Sequence, residues 1–171
     1  NSWKDLSANG ITDLGMAFEE LTSMLSRKKF LKSPSLSYAP VIFLMTDGYP
    51  TDNYKKGLEK LKNNNWYKYG MKIALGIGDY FDESVLEEFT ENKELVVKAA
   101  NSSQLAKLIK TIAVTSSQIA SKSMTIVSDE ENELDYEDVE GNKQKEMVKI
   151  VQDTVSDDEF IETLELEDGW D

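Results

Sequence analysis

The sequence predicts a parallel α/β fold. Segments with apolar residues at helical spacing alternate with short apolar runs, in the order helix, strand, helix, strand, helix, strand, helix. The first of these runs, Ala39 to Met45, is apolar throughout rather than alternating. That pattern belongs to a strand covered on both faces, as in a parallel sheet flanked by helices.

The first helix follows the loop Asn9-Gly10-Ile11-Thr12-Asp13 and carries Leu14, Ala17, Phe18, Leu21, Met24 and Leu25. Thr12 or Asp13 is its expected N-cap, and Arg27-Lys28-Lys29 places cations toward its negative end. Ser33-Pro34-Ser35 closes the element. After the strand, Asp52-Asn53 is expected to cap a second helix bearing Tyr54, Leu58 and Leu61. Met71 to Gly78 reads as the second strand. Asp82 is the expected cap of a short helix with Val85, Leu86 and Phe89. Leu95 to Ala99 reads as the third strand. A longer helix over about residues 103–119 turns Leu105, Leu108, Ile109 and Ile112 inward.

Beyond about Ser121 the periodicity fades. Residues 129–171 hold 18 Asp and Glu against 3 Lys, whereas residues 1–128 hold 14 against 16 Lys and Arg. The net charge of −13 therefore belongs to the C-terminal stretch, and the body is nearly neutral. The expected organisation is an α/β unit over 1–120 and an acidic, largely disordered extension over 121–171. Within it, Glu146 to Val151 has the pattern of a helical turn or two. Phe160, Ile161, Leu164, Leu166 and Trp170 lie among acids, a composition that often folds on a partner.

Composition removes several function classes. The 171 residues include no Cys and no His, which excludes disulfides, thiolate metal sites, Ser-His triads and the usual zinc sites. A near-neutral body with an acidic tail gives no reason to expect nucleic acid as a partner. No apolar run approaches membrane-spanning length, so no membrane partner is expected.

Oxygen chemistry concentrates in Thr46-Asp47-Gly48-Tyr49-Pro50-Thr51-Asp52, at the carboxyl end of the first strand, where ligands bind in open α/β sheets. Thr12 opens the preceding helix and can reach the same edge. Hydroxyl and carboxylate oxygens together suit a hard divalent cation such as Mg²⁺. Taken singly, Asp-Gly is a common turn and Thr-Asp a common cap. Two rival chemistries are weaker. Gly76-Ile77-Gly78 begins a phosphate-loop pattern, but Phe81 stands at its third glycine and no Walker lysine follows. The carboxylates Asp47, Asp52, Asp79 and Asp82 form no evident acid–base pair. In the tail, Asp129 to Leu134 alternates acids but has Leu134 where a calcium loop needs glycine.

Three segments in order carry a resemblance: Gly10-Ile11-Thr12-Asp13-Leu14-Gly15 opening a helix, Pro40 to Asp52, and Ile73-Ala74-Leu75-Gly76-Ile77-Gly78. They resemble a von Willebrand factor type A (VWA) domain, in the bacterial intracellular branch found with tellurite-resistance and stress-response systems. The resemblance covers about residues 1–120. It implies a Rossmann-like fold with a metal-ion-dependent adhesion site, in which Thr12 and Asp47 match two ligands of Mg²⁺ or another divalent cation. Asp13 and Thr46 are expected to orient those ligands.

The family's first metal loop, Asp-x-Ser-x-Ser, does not occur in the sequence. The resemblance thus implies the C-terminal part of such a domain, a sheet lacking its first strands, and an incomplete metal site. Strand 41–45 would then present an apolar edge open to pairing. The expected function is a cytoplasmic, non-enzymatic protein-interaction module whose partner offers a carboxylate to the metal. An N-terminal half of the same domain is a further expected partner. The helix over 103–119 resembles the family's mobile terminal helix. The alternatives are a metal-independent scaffold domain or a nucleotide-binding α/β enzyme.

Overall fold

The computed structural model describes residues 11–26, 40–127 and 136–156. Helix α1 spans Leu14–Met24, strand β1 Val41–Thr46, helix α2 Tyr54–Lys62 and the short α3 Asn65–Lys68. Strand β2 covers Met71–Ile77 and helix α4 Glu83–Thr90. A 3₁₀ turn at Lys93–Leu95 leads into strand β3, Val96–Ala99. Helices α5, Ser102–Val127, and α6, Tyr136–Val155, complete the described chain. The sequence expectations for Asn9-Gly10, Arg27-Lys28-Lys29, Ser33-Pro34-Ser35, the Asp129 to Leu134 loop and Phe160 to Trp170 lie outside the described residues.

The three strands form one parallel sheet in the order β1-β2-β3. Val41 pairs with Met71 and Thr46 with Gly76, and on the other side Ala74 pairs with Val96. β2 is the central strand and is buried almost throughout. Its side chains alternate between two cores, as a pleated strand requires. Met71, Ile73 and Leu75 join Val97, Leu108 and Ile112 on one face. Ala74 joins Phe18, Leu61, Leu86 and Phe89 on the other, beneath α1, α2 and α4. The alternation of helix and strand therefore yields helices on both faces of a parallel sheet.

The polar exception in β2 is Lys72, only 4% exposed. Its ammonium meets Glu91 at 2.9 Å and lies 4.6 Å from the Tyr67 ring centroid. A buried cation is tolerated when it is paired and its stem is covered. Tyr67 itself donates its hydroxyl to the Phe89 carbonyl, and Phe89 stacks on Phe18.

The expectation of a largely disordered extension does not hold for residues 136–156. α5 runs to Val127, beyond the expected end near 119, and α6 follows. Met147, Val148 and Val151 of α6 are buried against β2, β3 and α5, with Ile150 and Val155 packed beside them. The helical turn expected over Glu146 to Val151 lies within this helix, which extends well beyond it on both sides. Ile109 also departs from expectation, being exposed rather than inward. Among the described residues no helix is long and apolar enough to cross a membrane.

Candidate functional site

Two loops meet at the carboxyl end of the sheet. One is Ile11-Thr12-Asp13, which enters α1, and the other follows β1 from Thr46 to Asp52. The backbone N–H of Thr51 donates to the Thr12 carbonyl at 2.9 Å, which pins one loop to the other. The Thr51 hydroxyl donates to Asp13 Oδ1 at 3.1 Å. Asp13 thus occupies the N-cap position of α1 without its side chain capping the helix.

The cap comes from the other loop. Asp52 Oδ1 accepts the N–H of Gly15 at 2.9 Å and Oδ2 accepts that of Met16 at 3.1 Å. The expectation that Asp52-Asn53 caps α2 is corrected accordingly: Asn53 sits at the N-cap position of α2 with no side-chain cap bond. Asp82 does cap α4, accepting from Ser84 N at 3.1 Å.

Two glycines allow this junction to close. A Cβ on Gly15 would lie 2.7 Å from Asp52 Oδ2, and one on Gly57 would lie 2.3 Å from the Gly15 carbonyl oxygen. α1 and α2 therefore cross at backbone contact. The sequence signal for this was a glycine inside each helical pattern, a placement that usually marks close approach. Sequence reasoning passed over both, as well as Thr51.

The four expected site residues divide into two kinds. Thr46 and Asp13 are engaged. The Thr46 hydroxyl donates to the Gly48 carbonyl at 3.1 Å and accepts from Gly48 N at 3.3 Å, holding the turn that carries Asp47. Asp13 is tied to Thr51, as described. Thr12 and Asp47 differ. Among the described residues, neither the Thr12 hydroxyl nor the Asp47 carboxylate enters a hydrogen bond or ion pair. The Thr12 hydroxyl faces Gly48, where an added Cβ would be 2.9 Å away, so it lies against the residue next to Asp47. Asp47 is exposed.

The junction thus offers two unengaged oxygen donors of different type on adjoining loops, with Asp13, Thr46, Thr51 and Asp52 hydrogen-bonded to protein around them. That donor set fits a hard cation, which prefers oxygen ligands and keeps waters for the rest of its shell. Among the described residues no three carboxylates converge.

At the neighbouring loop, the Phe81 ring covers Gly76 so closely that a Cβ there would be 2.2 Å from Cζ. Gly78 has φ 70°, which a glycine adopts without strain, and its N–H donates to Ala99 O at 2.9 Å. Both the ring and that bond draw the loop onto the sheet, and the Gly78 N–H is committed to protein rather than open to a phosphate. Asp79 at the same loop pairs with Lys98. Exposed Ile11, Tyr49 and Tyr80 belong to the loops at this end of the sheet. Compared with family models, curated proteins and solved structures, the chain shows no match.

Proposed function

We propose that this chain is a protein-interaction module of VWA type, with a Rossmann-like sheet, in which Thr12 and Asp47 contribute two ligands to Mg²⁺ or a similar divalent cation. The observation that carries this reading is the pair of unengaged oxygens at Thr12 and Asp47, on loops whose Asp13, Thr46, Thr51 and Asp52 side chains all hydrogen-bond to protein. A bound cation would supply an open coordination position for the carboxylate of a partner protein. The chain's own residues do the positioning. Thr46 fixes the turn below Asp47, Thr51 and Asp13 lock the two loops, and Asp52 holds the helix that delivers Thr12.

The test is thermal unfolding of the full chain with and without 5 mM Mg²⁺, beside Asp47→Ala and Thr12→Val. With a millimolar site, the ion adds about 1 kcal/mol and raises Tm by about 2–4 °C in the parent. The acidic extension attracts cations non-specifically, and its contribution is common to parent and variants. Equal shifts in all three proteins would sink the metal site. Partner capture that survives EDTA would then favour the metal-independent scaffold.

A further inference from the structure

Charge is divided between the two ends of the sheet. The loops at its carboxyl end carry Asp13, Asp47, Asp52, Asp79 and Asp82, and Lys98 pairs there with Asp79. Cations collect instead on α2, α3 and the loop that enters β2. Residues 54–72 hold six Lys against one acid, Glu59. Lys60 pairs with Glu19, and Lys62 and Lys72 share Glu91. Lys55, Lys56 and Lys68 are exposed and enter no ion pair among the described residues. Lys93, in the 3₁₀ turn before β3, is a fourth exposed lysine of this kind. Tyr69 is exposed and Trp66 half-buried on the same stretch, so apolar surface lies among the cations. Lys68 and Tyr69 precede β2 and Lys93 precedes β3, which places all three at the amino end of the sheet. α6 ends beside this surface, where the Gln152 amide donates to Glu94 Oε1 at 3.4 Å, next to Lys93. The described residues stop at Ser156, four positions on.

We propose that residues 157–171 of the same chain dock on this lysine-bearing surface. The segment holds eight Asp and Glu and no Lys or Arg, so its charge complements the four unpaired lysines. Its Phe160, Ile161, Leu164, Leu166 and Trp170 supply apolar groups for Trp66 and Tyr69. Length permits the reach. Fifteen residues in extended form cover about 50 Å, whereas α2 is about 14 Å long. Residues 128–135 are also acidic, but they hold one apolar residue, Leu134, and are tied at both ends to α5 and α6. A tethered segment has an effective concentration of about millimolar, which favours it over a separate acidic partner. The five aspartates at the carboxyl end repel the segment, so the Thr12–Asp47 junction stays uncovered and the docking is independent of any metal there. Exposed ion pairs are individually weak and screened by salt, which makes the docking reversible and salt-sensitive.

The experiment measures amide exchange across residues 157–171 of the full chain, beside carbodiimide coupling of its carboxylates to lysines. The expected result is protection of Phe160 to Trp170 at low salt that fades in about 0.5 M salt. Coupled peptides should join residues 157–171 to Lys55, Lys56, Lys68 or Lys93, and should come from the monomer band. Combining Lys55→Gln, Lys56→Gln, Lys68→Gln and Lys93→Gln should speed exchange in the segment about tenfold. These lysines are exposed, so the variant keeps its fold, and unchanged protection of the β2 amides verifies that. A segment unprotected in the parent overturns the inference. So does protection indifferent to the variant, which would mean that cations elsewhere hold the segment. Coupled peptides confined to a dimer band overturn it as well, because the acidic segment would then belong to a second copy. The coupling pattern of the parent decides the matter even if the variant fails to fold.

Discussion

Asp52 and Gly15 are joined by a 2.9 Å hydrogen bond across 37 positions of sequence, in which the second backbone N–H of α1 donates to a carboxylate oxygen. The capping group of the first helix is therefore supplied by the loop that ends the first strand. One interaction satisfies orphan donors, places a negative charge at the positive end of the helix dipole, and ties the two loops of the candidate site together.

The first prediction concerns that bond. Asp52→Ala should destabilise the chain by about 1–2 kcal/mol, whereas Asn53→Ala should be nearly neutral, because only Asp52 caps a helix. Urea unfolding of the two variants distinguishes them. A larger loss in Asn53→Ala would mean that Asp52 is not the cap. Asp52→Ala should also weaken any Mg²⁺ response, since it loosens the helix that carries Thr12.

A second prediction follows from the crossing of α1 and α2. Gly57→Ala improves intrinsic helix propensity by about 1 kcal/mol. It also drives a methyl group to 2.3 Å from the Gly15 carbonyl oxygen, which is backbone and cannot swing aside. Overpacking should win, with a net loss of about 2 kcal/mol in denaturant unfolding. A stabilised variant would show that the two helices have room to separate.

The third prediction is a pH dependence. Burial, and secondarily the Glu91 carboxylate, push the Tyr67 phenol well above its ordinary value. The unfolded phenol ionises at about pH 10, while the folded one keeps its proton. The unfolded state therefore binds fewer protons at high pH and stability falls as pH rises. The contribution is intact below the unfolded value and declines above it, by at most about 1.4 kcal/mol per pH unit. Tyr67→Phe should lose about 1 kcal/mol at neutral pH by deleting the bond to Phe89 O, and its Tm should fall less steeply between pH 9.5 and 11.5. Parallel curves for parent and variant would refute the assignment.

α6 yields the fourth prediction. Met147 is fully buried beside Leu95 and Ile112 in the core that also holds Val148 and Val151. Met147→Ala should cost about 2–5 kcal/mol in unfolding free energy. A change near zero would mean that the acidic extension contributes nothing to the core.

The two loops of the candidate site were legible in the chain: Thr46 and Asp47 by their place at a strand end, Thr12 and Asp13 by their place at a helix start, with the roles of all four coming from the family resemblance. Their division into engaged and unengaged groups was not. That division depends on which neighbour each side chain meets, and Thr51 reaches Asp13 only because a backbone bond from Thr51 to Thr12 closes the two loops.

By itself the sequence determined the order of the first helices and strands and the parallel α/β class, because both rest on local periodicity. Its expectation that Ala39 to Met45 is covered on both faces is corrected: β1 is only partly buried, and Met45 is 49% exposed. The sequence also determined the Asp82 cap, whose partner Ser84 lies two residues away. Tertiary structure alone decided the rest. It moved the Asp52 cap to a distant helix and set Lys72 inside a core by giving it Glu91 and the Tyr67 ring. It laid an acid-rich segment on the sheet as α6 and left β1, a strand of interior composition, at an edge of the sheet among the described residues. The physical reason is common to all four. A side chain's local pattern records what it prefers, but the partner that satisfies a charge, a donor or an apolar face is chosen by where the folded chain brings distant segments together.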